Sequence, residues 1–228
     1  MDFDFSPFFN KYEALLAVVD ATFDRIKKEY PHGVTCTLKC ADCCHAIFDL
    51  SLVEALYINH QFNRRFQGKA REQILEKANR ADRKAFQIKK KAAKDREAGK
   101  AETEILVELA AERIRCPLLN EKKTCDLYPF RPVTCRLYGL PTAIGGISHT
   151  CGRSGFYEGK VYPTVNLETV HRKLFALSAE IAQALQTRYP KLHEMLVPLS
   201  MALLTDYDAQ YLGVGTDTSE ENKEGRKG

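Results

Sequence analysis

The chain has 228 residues, 44% of them apolar and 28% charged, with a formal net charge of +4. That mixture argues against a disordered chain and is long enough for one domain with a real core, while so small a charge gives no ground by itself for nucleic-acid binding. The N-terminal MDFDFSPFFN lacks a basic region leading into an apolar stretch, and no window approaches 18 uncharged apolar residues, so a cytoplasmic protein without a membrane partner is expected.

Residues 6 to 30 read as an amphipathic helix. Ser6 can cap it, Pro7 suits its first turn, and Phe8, Tyr12, Leu15, Val19, Phe23 and Ile26 recur at helical spacing before Pro31-His32-Gly33 stops it. A dense cysteine segment, Cys36 to Cys44, follows. Ser51 and Glu54 then have the spacing of a capping box, which opens a helix to about Phe66.

Residues 69 to 115 are rich in Ala, Lys, Glu and Arg, which predicts two helices broken near Gly99-Lys100. Lys69 to Lys100 holds twelve Lys or Arg against five Asp or Glu, a basic helical insertion on a mildly acidic remainder. Pro117, Pro129, Pro132 and Pro141 with Gly139, Gly145 and Gly146 make the second cysteine region loop-rich, with room for a short strand or two. Helices are expected from about Leu167 to Tyr189 and from Lys191 to about Leu204, and a disordered polar tail over 213–228. The fold class expected is mostly α: one domain over residues 1–212, with helices around a loop-rich cysteine core and residues 69–115 as a helical insertion.

Eight cysteines carry the chemistry. Cys36-x3-Cys40-x2-Cys43-Cys44 puts four thiols into nine residues, and Cys116-x8-Cys125-x9-Cys135-x15-Cys151 supplies four more after a gap of 71 residues. Cytoplasmic thiols stay reduced, so this clustering points to metal rather than to disulfides. Thiolates favour zinc and iron–sulfur clusters, four to a centre, so all eight are candidate ligands and suffice for one centre or two. The adjacent pair Cys43-Cys44 complicates the assignment. Neighbouring side chains diverge, so one of the two is expected to bind a second metal, bridge two metals or pack as a small apolar group. Lys39, Arg115, Arg131, Arg136 and Arg153 lie near enough in sequence to offset thiolate charge. His45 and His149 flank cysteines and are secondary ligand candidates.

The first cluster, followed by Cys116-Pro117-Leu118-Leu119 and by Cys125-Asp126-Leu127-Tyr128-Pro129-Phe130-Arg131-Pro132-Val133-Thr134-Cys135-Arg136, resembles the YkgJ-type cysteine-cluster family of zinc- or iron-chelating domains. The resemblance covers roughly Cys36 to Leu56 and Cys116 to Cys151. It implies a metal-binding role for the cysteines and does not imply a reaction. Here Ala41-Asp42 stands where the family often has glycine, and the resemblance says nothing of the basic segment.

The second region lacks the paired C-x2-C knuckles of zinc ribbons, which tilts the metal toward iron, including an iron–sulfur cluster, over zinc. A structural, electron-transfer or metal-handling role is the leading expectation. One alternative is an iron–sulfur-dependent, protein-modifying enzyme, because a related cysteine-rich segment occurs in flagellin lysine methylases. Another is a metal-stapled module presenting residues 69–100 to an acidic protein partner. Solvated helix faces commonly look like that segment, and it lacks the interleaved aromatics that would stack on bases, so nucleic acid is not expected there.

Overall fold

The computed structural model describes residues 3–157 and 159–215. Seven α-helices dominate them, in the mostly α fold expected, with three short 3-10 turns and short strands between. The helices are α1 (Ser6–Glu29), α2 (Leu52–Arg65), α3 (Gly68–Glu97), α4 (Glu102–Ala111), α5 (Val133–Leu137), α6 (Leu167–Ala184) and α7 (Leu199–Leu204). Among the described residues, no helix is long and apolar enough to cross a membrane.

Helix α2 is the centre of the packing. Its Leu52, Val53, Leu56 and Tyr57 join one apolar cluster with Tyr12, Leu16, Val19 and Ile26 of α1, Leu137 of α5 and Ile181 of α6. Its Ala55, Ile58 and Phe62 face a second cluster containing Ile74 and Ala78 of α3, Leu118, Leu127 and Leu203 of α7. The first two turns of α2, Leu52 to Ile58, are buried all round, which sets this half of the helix between the two clusters. Its start is capped on two sides: Ser51 and Glu54 form the expected capping box, and the Val53 N–H donates to the buried Ser178 Oγ of α6.

The basic segment is bound to this body more closely than an appended excursion would be. Ile74, Ala78, Ala81 and Ala85 make a buried stripe along α3, and the small alanines let it lie close to α7. Helix α4 returns along α3, where Lys91 and Lys100 both pair with Glu108.

Two expectations are corrected. Phe5 occupies the N-cap of α1 and Ser6 is already helical, its N–H donating to Asp4 Oδ1. The C-terminal helix is far shorter than Lys191–Leu204. Residues Leu192–Glu194 form a 3-10 turn, and β5 (Leu196–Pro198) pairs antiparallel with β1 (Asp49–Ser51) before α7 begins. Pro198 brings no N–H to a helix there, and Pro at a strand end suits it to this edge. A second small sheet orders its strands β3 (Ile147–His149), β2 (Thr142–Ile144) and β4 (Val165–Asn166), with a β2–β3 hairpin whose tip, Gly145-Gly146, has positive φ at both residues. At the C-terminal end the chain stays packed through Val214, since the Arg188 N–H donates to the Gly213 carbonyl. Residues 216–228, where most of the disordered tail is expected, lie outside the described residues.

Candidate metal centre

All eight cysteines are free thiols and all are half-buried. They come from four stretches of chain that the body brings together. Cys36 and Cys40 sit on the loop after α1, and Cys43 and Cys44 on a 3-10 turn, Cys43–His45. Cys116 and Cys125 flank the loop after α4, Cys135 lies in α5, and Cys151 follows the β2–β3 hairpin.

Specific backbone ties set this convergence. The Cys116 N–H donates to the Cys44 carbonyl at 2.7 Å and the Ile114 N–H to the His45 carbonyl at 3.0 Å, which stitches the first cysteine segment to the second. Leu119 and Cys125 form an isolated antiparallel bridge. On the other side, the Gly155 N–H donates to the Gly33 carbonyl and the Thr35 hydroxyl to the Arg153 carbonyl, which draws the Cys151 loop onto the Cys36 loop. That crossing needs glycine: a Cβ at Gly155 would stand 2.1 Å from the His32 carbonyl oxygen. Gly139, at φ +100°, is required for the same reason, because a Cβ there would lie 2.4 Å from the Cys36 sulfur.

Two polar side chains place Cys135. Glu54 is buried in α2; its Oε2 accepts from the Ser51 N–H and hydroxyl, and its Oε1 accepts from the Val133 N–H at the start of α5. Arg136, also buried, donates to the Arg131 and Pro129 carbonyls and pairs with Asp20 of α1. Arg131 stacks over the Tyr128 ring, 3.6 Å from its centroid, and donates to the Tyr128 carbonyl. Arg136 thus serves the loop backbone, as Arg131 partly does.

Electrostatics divide the thiols by neighbourhood. Hydrogen bonds from Cys135 and Cys44 to its anionic form pull Cys43 down, with the Arg131 charge assisting. Those same bonds and burial push Cys44 and Cys135 far up. Both adjacent thiols are carried by the 3-10 turn Cys43–His45. Burial raises Cys116 to about 12 and Cys125 to about 11, each feeling the other or Cys43. Cys36 is raised to about 12 by burial and then by Cys40 and Cys151, and Cys151 is raised by burial with Asp42 and Cys40 close by.

An open cleft of about 510 Å³ has Cys36, Cys40, Cys43, Cys44, Cys125 and Cys135 on its walls, with Tyr128 and Arg131. A second, smaller apolar pocket of about 70 Å³ is lined by Cys43, Cys44, Cys116, Cys125 and Cys135 together with Ile58, Ala81 and Leu118. Among the described residues no group of three His, Cys, Asp or Glu side chains is close enough to hold a metal ion as it stands. The donor chemistry nevertheless fits zinc or iron: reduced thiols in excess, with arginines beside them.

Of the other expected participants, His45 hydrogen-bonds through Nδ1 to the Ala41 carbonyl, and His149 is exposed on β3. Arg115 donates to the Leu119 and Asn120 carbonyls. One participant escaped sequence reasoning. Asp42, between Cys40 and Cys43, accepts from the Tyr138 hydroxyl at 2.9 Å, contacts the Cys151 sulfur at 3.6 Å and pairs with Arg153 at 3.5 Å. Its position inside a C-x2-C turn was the available signal, since carboxylates also ligate zinc.

No curated protein and no solved structure matches the chain. A family model does match, over residues 35–152, just over half of the chain and the whole thiol region. Its name, CxxCxxCC, differs from this chain only in the first spacing, where three residues rather than two separate Cys36 from Cys40. The chain belongs to that family, described as a "putative zinc- or iron-chelating domain".

Proposed function

We propose that the cysteine loops hold zinc or iron at a centre that solvent can reach, for metal handling or electron transfer rather than for bracing the fold alone. The observation that carries this reading is the row of six thiols on one open cleft. Structural thiolate sites are closed, whereas working sites keep an accessible position. The body supports the same view, because two apolar clusters built on α2 supply a core in which the thiols sit only at the margin, Cys36 against one and Cys116 and Cys125 against the other.

A second reading, an iron–sulfur cluster, is favoured by the width of the cleft and by six thiols around it, which suit a polynuclear centre better than one ion. Such a cluster beside Tyr128 and Arg131 would be compatible with a protein-modifying enzyme. Anaerobic purification, elemental analysis and a visible spectrum test both readings. Stoichiometric zinc or iron is expected, with thiolate-to-iron absorption if a cluster is present. Less than about half an equivalent of zinc plus iron, with every thiol freely titratable, would remove the reading.

A further inference from the structure

We propose that the eight thiols serve two separate metal sites, and that the outer one is completed by a carboxylate: Asp42 with Cys36, Cys40 and Cys151. The inner site then takes Cys116, Cys125 and Cys135 with Cys43 or Cys44. This division rests on the metal-binding reading above and goes beyond it in ligand identity and number of centres.

Three independent features separate the sets. The first is the backbone framework. The inner thiols are stitched by the bonds from Cys116 to Cys44 and from Ile114 to His45 and by the Leu119–Cys125 bridge. The outer thiols are assembled by a different crossing, Gly33 with Gly155 and Thr35 with Arg153, and by the close approach of Gly139 to Cys36. The second is position. Cys43, Cys44, Cys116, Cys125 and Cys135 all line the small apolar pocket and Cys36, Cys40 and Cys151 do not, although four of the inner thiols share the larger cleft with Cys36 and Cys40. The third is charge. Arg153 pairs with Asp42 of the outer set, while Arg131 lines the pocket that holds the inner thiols.

Asp42 is held as a ligand would be. Its Oδ2 meets the Tyr138 hydroxyl and the Cys151 sulfur, and its Oδ1 faces Arg153. Partners of this kind orient a metal-bound carboxylate and tune its basicity. Zinc accepts such a mixed sulfur and oxygen set, and one oxygen among three thiolates makes the outer site the harder of the two. The outer site also lies nearer solvent, since Arg153 is 72% exposed, so metal should exchange there first.

The test is a titration of the full chain, stripped by chelator under anaerobic conditions, with Zn²⁺ and then with Co²⁺, read by elemental analysis and by thiolate-to-cobalt absorption. Wild type should take two equivalents, with weaker thiolate absorption from the site that exchanges first. Asp42→Ala and Cys151→Ser should each lose one equivalent and keep the other. Cys116→Ser should lose the complementary one. Tyr138→Phe, a mild change, should keep both equivalents but weaken the outer one by about 10-fold or more. Circular dichroism checks that each variant is folded, and the wild-type cobalt titration stands even if a variant is not. Asp42→Ala with wild-type metal content, or one equivalent that every variant loses together, would overturn the division alone. Wild type that takes up no metal would overturn the metal reading and the division with it.

Discussion

The helical body and the cysteine loops are built on opposite principles. In the body, order comes from many equivalent contacts: Phe62, Leu50, Leu52 and Ile181 are fully buried, and each touches neighbours from several helices. In the loops the thiols are only half-buried, and their positions depend on a few irreplaceable ties, among them Glu54, Arg136, Gly139 and Gly155. Distributed packing tolerates the loss of one metal ligand. A few polar ties do not tolerate the loss of one tie. The body should therefore determine stability, and the loops should determine whether metal is held.

The sharpest way to break that contrast is a large cavity in the body. Phe62→Ala removes a fully buried ring between α2 and α3 and should cost about 3–5 kcal/mol. Denaturant midpoints would read the loss, and metal per folded molecule should not change. Metal lost in proportion to stability would mean that the two regions are one cooperative unit. The next largest effect is expected in the loops. Arg136→Ala frees the Pro129 and Arg131 carbonyls and strands Asp20, but Asp20 is 47% exposed, so water limits the cost to about 2 kcal/mol. Here metal affinity should fall further than stability does, because α5 carries Cys135.

The same contrast explains what could be read in advance. Helices α1 to α4 and α6 carry repeats of 3.6 residues over ten or more positions, long enough for the pattern to stand out. The β1–β5 pair spans three residues on each strand, too few for any periodicity, and its pairing joins Asp49 to Pro198 across most of the chain. The cysteines were legible because thiols crowd so rarely without a purpose. Asp42 was not, because a lone carboxylate is ordinary on any loop and only its contacts with Tyr138, Cys151 and Arg153 set it apart. Arg136 was legible as a cation near the thiols, but its bonds to the Arg131 and Pro129 carbonyls and its pairing with Asp20, 116 positions away, belong to the folded structure.

Glu54 joins the two regions and gives a pH handle on them. Burial raises its pKa above the ordinary carboxylate value, and the donors from Ser51 and Val133 only partly offset this. The folded chain therefore binds this proton more tightly than the unfolded chain does. The stabilisation is complete below the unfolded value and is lost as pH rises through the raised one. Glu54→Gln should flatten stability across that window. It should also cost about 1–2 kcal/mol, since the new amide N–H₂ must face donors on one side or the other. Equilibrium unfolding of both proteins across the acidic range would check the sign; a variant with the wild-type slope would show that another group titrates there.

The smallest effect is expected where the charge is densest. The excess of cations over residues 69–100 suggests a free basic face, yet Lys89 bonds both carboxylate oxygens of Asp49, and Lys91 and Lys100 share Glu108. Part of the charge is thus spent within the protein, on pairs that water reaches: the Lys89 side chain is 41% exposed and Asp49 24%. Exposed pairs contribute about 0.2–1 kcal/mol, and salt screens them over about 8 Å at physiological ionic strength. Lys89→Ala should therefore shift the unfolding midpoint slightly at low salt and hardly at all at high salt, with metal content unchanged. Asp49 opens β1, which runs directly into α2, and Lys89 lines the small apolar pocket that five of the thiols share. A loss well above 1 kcal/mol, or loss of metal, would mean that α3 positions the thiol loops through Asp49 and belongs with them rather than with the body.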